Sequence, residues 1–141
     1  MNTRSQQYAD FFEHLNAGYI KEQYAEFFDG ASTFEDPFQK VKGLDAIYKV
    51  FEHMYKTLYN PKFFVEEIVA EGNVAYLRWR FIYQRSEGAN EESFIGVSRV
   101  LFNADGKVAS HIDYWDAAHN VYEKIPLLGF ILRFIKSKLH A

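Results

Sequence analysis

Val74-Ala75-Tyr76-Leu77-Arg78-Trp79-Arg80-Phe81-Ile82-Tyr83-Gln84-Arg85 alternates its large side chains with period two, the pattern of a strand with one face buried. Leu77, Trp79, Phe81 and Tyr83 fall on one face; Tyr76, Arg78 and Arg80 fall on the other. The apolar set is expected to face a cavity and the arginines the outside. Runs of the same kind flank this stretch, at residues 63–70 before it and 92–102 and 107–115 after it. Glu71-Gly72-Asn73, Ser86-Glu87-Gly88-Ala89-Asn90 and Asn103-Ala104-Asp105-Gly106 separate them, each rich in turn formers. Four consecutive strands joined this way predict an antiparallel meander.

Upstream the period changes to that of a helix. Leu44, Ile47, Val50, Phe51, Met54, Tyr55 and Leu58 recur on one face, predicting a helix over 44–59 that Asn60-Pro61 ends. Residues 5–28 carry Tyr8, Phe11, Phe12, Leu15, Tyr19, Ile20, Tyr24, Phe27 and Phe28, read as two helices with a turn near Asn16-Ala17-Gly18 and a stop at Asp29-Gly30. Between these helices and the 44–59 helix, Thr33-Phe34-Glu35-Asp36-Pro37-Phe38 is too short for a helix. Pro37 biases Asp36 toward an extended backbone, so Asp36 is expected to end a short strand. Helices first and a curled antiparallel sheet after is an α+β order, with the helices across one face of the sheet.

A chain of 141 residues fits one domain with a substantial core. Its 18% aromatic content exceeds what such a core needs and suits a cavity lining. The net charge of −3 gives no basic footprint for nucleic acid. With no cysteine, a disulfide framework, a thiolate metal site and a cysteine nucleophile are excluded, and a cytoplasmic location is the expectation. The first residues lack a signal-peptide apolar core, and no apolar run reaches the ~20 residues of a membrane span.

The segment 119–141 stands apart from the domain expected over 1–118, with its apolar residues between 121 and 139. Pro126 is expected to open an amphipathic helix rich in Ile, Leu and Phe, whose charges are basic apart from Glu123. Such a helix packs over the domain or a dimer mate, or lies as a peripheral contact on an anionic lipid surface.

Two stretches resemble a known family. Phe34-Glu35-Asp36-Pro37-Phe38, followed by Gly43 and an amphipathic helix, is similar to the strand-turn-helix of ketosteroid isomerases and SnoaL-like polyketide cyclases. Asp105-Gly106-Lys107-Val108 leading to Ile112-Asp113-Tyr114-Trp115-Asp116 resembles the last strand of SnoaL-like domains. With the element order, the resemblance covers roughly residues 5 to 118. It implies a nuclear transport factor 2-like cone: a curved antiparallel sheet with the N-terminal helices over its concave face and an apolar pocket inside. It also implies a homodimer through the outer sheet face, where arginines are common. The fold by itself does not fix a function, since it carries isomerases, cyclases, hydrolases, dehydratases and binders.

In ketosteroid isomerases the aspartate of the matching stretch is the general base, and Asp36 falls on that position. A carboxylate facing an apolar cavity has its charged form disfavoured, which favours a base; the alternative is that Asp36 caps the turn before the helix. The rest of that active site does not carry over. The oxyanion-donating tyrosine falls on Phe11 or Phe12, its supporting tyrosine on Phe51, and the protonated aspartate on Ser98. Without those donors, steroid isomerisation by that route is not expected.

Other polar groups are candidates. In the last strand His111, Asp113 and Trp115 alternate against Ser110, Ile112 and Tyr114, and the resemblance places Trp115 on the cavity side. His111 and Asp113 then join Asp36 as an acid/base set, with Asp113 expected to hold or polarise His111 and Asp36 to take the proton; the same alternation also fits a solvated edge with a surface ion pair. Ligand contact is assigned to Phe12, Phe51, Tyr55, Trp79, Ser98 and Trp115. The opposite register of residues 76–83 would put Arg78 or Arg80 inside and suit a carboxylate or epoxide. Limonene-epoxide hydrolase-like relatives take such substrates, but their Asp-Arg-Asp arrangement has no clean match here. His14, His53, His119 and His140 have no metal-ligand spacing, and no glycine-rich phosphate cradle is present, so no cofactor or metal is expected. Two main functions follow, beside a third, a purely structural dimerising module. One is a cofactor-independent isomerase or cyclase acting by proton transfer on a small apolar carbonyl compound. The other is a non-catalytic binder of a hydrophobic ligand.

Overall fold

The computed structural model of the chain describes residues 3–140. Helix α1 (Arg4–His14) starts at Thr3, whose hydroxyl accepts from the Gln6 amide as an N-cap should. A short α2 (Lys21–Ala25) leads into strand β1 (Phe28–Asp36), which turns back through β2 (Gln39–Lys42). Helix α3 (Leu44–Thr57) precedes the meander β3 (Tyr59–Glu71), β4 (Val74–Gln84), β5 (Glu91–Phe102) and β6 (Val108–Tyr114). A one-turn α4 (Ala117–Asn120), a 3-10 turn at Tyr122–Lys124 and helix α5 (Pro126–Leu139) follow.

The strands form one curved, unclosed six-stranded sheet in the order β2-β1-β6-β5-β4-β3. The α+β class is as expected, but the sheet is mixed rather than wholly antiparallel: β1 runs parallel to β6, pairing Phe34 with His111 and Glu35 with Ile112. The Ser32 hydroxyl donates to the Val108 carbonyl across this seam. The second helix ends at Ala25 instead of running to Phe28, because Phe28 is needed as a buried strand residue, 2% exposed. Helix α3 stops two residues early, and Asn60 and Pro61 belong to β3, with Asn60 at positive φ. Proline is tolerated there because β3 is the outermost strand, pairing on one side only.

Alternation in β4 sets the layers. Leu77, Trp79, Phe81 and Tyr83 are buried in the aromatic core. Arg78 and Arg80 point outward, where Arg78 bonds Glu66 at 2.5 Å. At such exposure these pairs add little stability. The inner layer is mainly aromatic: Tyr8 meets Phe12 edge-on at 4.9 Å, and Phe11 lies 4.9 Å from Phe27. Each ring fully withdrawn from water stabilises by about 1.5–3 kcal/mol. Arg4 fastens α1 to the sheet by donating to the Gly106 and Glu26 carbonyls.

Candidate active site

Five side chains from four elements form a single buried hydrogen-bonded line. Tyr8 of α1 meets His111 Nδ1 at 2.8 Å, and His111 Nε2 meets Asp113 Oδ1 at 2.6 Å. From the other side Trp79 Nε1 donates to Ser98 Oγ at 2.8 Å, and Ser98 Oγ donates to the same Asp113 oxygen at 2.5 Å. The strands supply this naturally: His111 and Asp113 sit two apart in β6, and Ser98 in β5 is paired directly with Asp113, so all three face inward.

The direction of each bond follows from its ends. An ionised carboxylate only accepts and an indole N–H only donates, so Trp79 gives to Ser98 and Ser98 gives to Asp113. Burial, and after it the Asp113 charge, push the Tyr8 phenol well above its ordinary value. Tyr8 therefore stays a neutral phenol; Asp113 only accepts, so a proton stands on His111 Nε2, and in the neutral imidazole Nδ1 accepts from the Tyr8 hydroxyl. Both imidazole nitrogens are committed within the protein, and Phe34 stacks on the ring at 4.8 Å between centroids. Donation converges on Asp113 Oδ1 from both sides. Among the described residues nothing donates to Oδ2, and that atom is not sealed from its surroundings.

Two cavities meet at Asp113. A void of about 20 Å³, large enough for a water, is lined by Phe12, Ser98, His111 and Asp113 among others. A cavity of about 530 Å³ runs from Asp113 outward past Phe34, Phe81, Phe94 and Trp115. Phe51, Phe63 and Trp79 border both. At the outer end stand Arg85 and Lys124, which share the Glu92 carboxylate at 2.8 and 2.6 Å. Lys124 above all holds that carboxyl below its usual range.

His111, Asp113, Trp79 and Ser98 are thus in direct contact as one unit, and Phe12 and Phe51 border the same space. Trp115 stacks on Phe94 at 4.3 Å in the wall of the large cavity. Asp36 also borders that cavity, at its outer end. Its Oδ1 accepts from the Phe38 and Gln39 amides at 2.8 and 3.0 Å, and Oδ2 accepts from Gln39 Nε2 at 3.2 Å. Both oxygens therefore serve the β1–β2 turn. Tyr55 stands elsewhere, beside a separate recess with Tyr19, Tyr24 and Tyr48.

Tyr8 was not among the residues singled out from sequence. Its signal was available: a tyrosine on the buried face of an amphipathic helix needs a partner for its hydroxyl. Gly96 was missed as well. It lies opposite Trp79 in the β4–β5 ladder, and a Cβ there would overlap the indole.

A family profile described as SnoaL-like domain matches residues 8–111. The chain belongs to the SnoaL-like domain family. Among solved structures, an NTF2-like protein of unknown function from Exiguobacterium sp. 255-15 is similar to this SnoaL-like domain. It is 20% identical, with a TM-score of 0.66 over 81% of this chain and 98% of its own. A candidate SnoaL-like polyketide cyclase from Jannaschia sp. CCS1 is 13% identical, with a TM-score of 0.71 over 82% of this chain and 87% of its own. A hypothetical protein of ketosteroid isomerase-like fold from Catenulispora acidiphila DSM 44928, in complex with trimethylamine, is 11% identical. Its TM-score is 0.71 over 88% of this chain and 92% of its own. At such identities the likeness carries the SnoaL-like fold and not the chemistry. No curated protein matches the sequence.

Proposed function

We propose that this SnoaL-like domain is a cofactor-independent isomerase or cyclase that moves a proton on a small apolar carbonyl compound, with Asp113 as the acceptor. The observation that carries this is the unpaired Oδ2 of Asp113, at the inner end of an aromatic cavity, on a carboxylate whose other oxygen is fixed by His111 and Ser98. A base held at one oxygen presents the second in a set direction, and a positioned base contributes about 10²–10⁴-fold. His111 acts here as a positioning residue, since neither nitrogen is free for substrate. Asp36 is the second carboxylate of the cavity, at its mouth. The Phe, Tyr and Trp walls suit a flat, mostly apolar molecule of the polyketide kind. Exposed Tyr76 and Ile95 beside Arg78 and Arg80 on the outer sheet face suit a homodimer.

A second reading, a non-catalytic binder of an apolar ligand, is favoured by a different observation. Tyr8, Ser98 and Trp79, the side-chain donors near Asp113, are all engaged within the line, so none is free to hold a developing oxyanion.

One experiment separates the readings. Solvent-deuterium exchange at the acidic C–H of a panel of cyclic and aryl 1,3-diketones is followed by NMR with the wild type, Asp113→Asn and Asp36→Asn. The enzyme reading expects acceleration that falls on the order of a hundredfold or more in Asp113→Asn. Loss only in Asp36→Asn would move the base to the cavity mouth. Diketone binding without exchange in any variant would leave the binder.

A further inference from the structure

Helix α5 turns an apolar face away from the protein. Leu127, Phe130, Phe134 and Leu139 are 73, 65, 56 and 80% exposed. Its one substantial neighbour is the 3-10 turn at Tyr122–Lys124. The reason is Gly129, the buried residue of the helix, which seats directly on the Glu123 carbonyl where a Cβ would overlap it. Arg133 donates to that carbonyl at 3.0 Å, and Lys136 pairs with the Glu123 carboxylate at 3.0 Å. The side of α5 carrying Gly129, Arg133 and Lys136 therefore faces the turn. At 100° per residue, Leu127, Phe130, Ile131, Phe134 and Ile135 lie on the opposite arc.

We infer that α5 lies in the surface of an anionic lipid bilayer and brings the mouth of the large cavity to it, so that the apolar ligand enters from the membrane. The helix carries no anion; Arg133 and Lys136 are held on the turn side at Glu123, and Lys138, about 180° from Gly129 by the same rotation, is the cation that stands on the exposed arc. A second copy laid on this arc would bring a second Lys138 to it, whereas an anionic lipid surface complements that charge. Fourteen residues rise about 21 Å, short of the roughly 30 Å hydrocarbon core. The helix can lie along the bilayer and not across it. Val121, Lys124 and Ile125, which lead directly into α5, line the large cavity together with Trp115, and Lys124 and Ile125 are exposed. A bilayer under α5 is then adjacent to that side of the cavity. Entry from the membrane rests on the cavity being the ligand site proposed above; lipid binding by α5 does not.

The test is co-sedimentation of the full chain with vesicles of phosphatidylglycerol and phosphatidylcholine, against pure phosphatidylcholine. Binding is expected to the anionic vesicles alone and to weaken with salt. Lys138→Gln, which leaves the Glu123 contacts of Arg133 and Lys136 in place, is expected to bind about fivefold more weakly. Phe130→Ser/Phe134→Ser, at exposed positions that leave the core untouched, is expected to abolish binding while circular dichroism stays unchanged. Bromine-labelled lipid chains are expected to quench the Trp115 emission, with the quenching lost in Trp115→Phe. Absence of anionic-vesicle binding overturns the inference. So does a dimer that dissociates in Phe130→Ser/Phe134→Ser, which would give the face to a second copy. Binding without Trp115 quenching overturns entry from the membrane while leaving the proposed reaction to its own test.

Discussion

Replacing Tyr8 by phenylalanine removes one oxygen and leaves the ring, so it isolates the bond to His111. Tyr8 is wholly buried and His111 is 4% exposed. The Nδ1 acceptor that loses its 2.8 Å partner faces Phe12 and Phe34, neither of which can donate. A buried acceptor left unpaired costs about 1–3 kcal/mol. For a chain of this size that is roughly 3–4 °C in Tm per kcal/mol, a fall of about 3–12 °C. The assay is urea and thermal unfolding of Tyr8→Phe, His111→Phe and the double variant. The cycle should return a coupling of about 0.5–1.5 kcal/mol, because the second change removes the group the first left stranded. Tyr48→Phe, at a half-buried tyrosine whose hydroxyl has no side-chain partner among the described residues, should stay within about 0.5 kcal/mol of wild type. If Tyr8→Phe unfolds with the wild type, or the cycle returns no coupling, the bond does not order the line and the donor directions deduced from it fail.

Three further outcomes follow from the same structure. Burial raises the Tyr8 phenol above 10.0, so the stability it contributes is complete below that pH and is lost as the pH climbs through the folded value. Alkaline titration should therefore show tyrosinate absorbance and loss of helical circular dichroism rising together, and Tyr8→Phe should flatten that dependence. Gly96→Ala forces the Trp79 indole off its seat, costing about 1–3 kcal/mol, and should shift the Trp79 fluorescence as its bond to Ser98 is lost. Asp36→Ala removes the acceptor of two backbone amides and should cost about 1–2 kcal/mol in urea unfolding. Asp36→Asn, which keeps an accepting oxygen, should cost less than half of that.

What the sequence displayed was whatever has a short period. Helix α3 and the four meander strands announce themselves because their apolar residues repeat at 3.6 or 2.0, and Gly72, Gly88 and Gly106, all at positive φ, mark the turns between the strands. The inward set Trp79, Ser98, His111 and Asp113 could be listed from the same alternation, and the contact of Asp113 with His111 with it, but not the bonds of Ser98 to Trp79 and to Asp113. Strand β2 was invisible, since Val41 is the sole apolar residue of Gln39–Lys42. The start of β1 was hidden because Gly30 lies where the register against β6 shifts, and Asp29-Gly30 reads locally as a helix stop. The parallel seam and the Tyr8–His111 bond join residues separated by most of the chain, and nothing local in a sequence records such a distance. A turn-capping role for Asp36 was one of the two readings its place beside Pro37 allowed, but its particular donors, the Phe38 and Gln39 amides and the Gln39 side chain, were not legible.

That seam has a consequence for how the protein is made. Strands β3 to β6 can pair with neighbours as soon as each turn closes, but the inner edge of β1 waits for β6, which begins only at Val108. Until then the aromatic side of α1 has no His111 to meet and no completed sheet to cover. Contacts of such long sequence separation slow folding and prolong the time apolar surface stays in water. On the ribosome the proposed active site should therefore be the last part of the domain to assemble, and a chain stopped before residue 108 should be a client for chaperones rather than a folded intermediate.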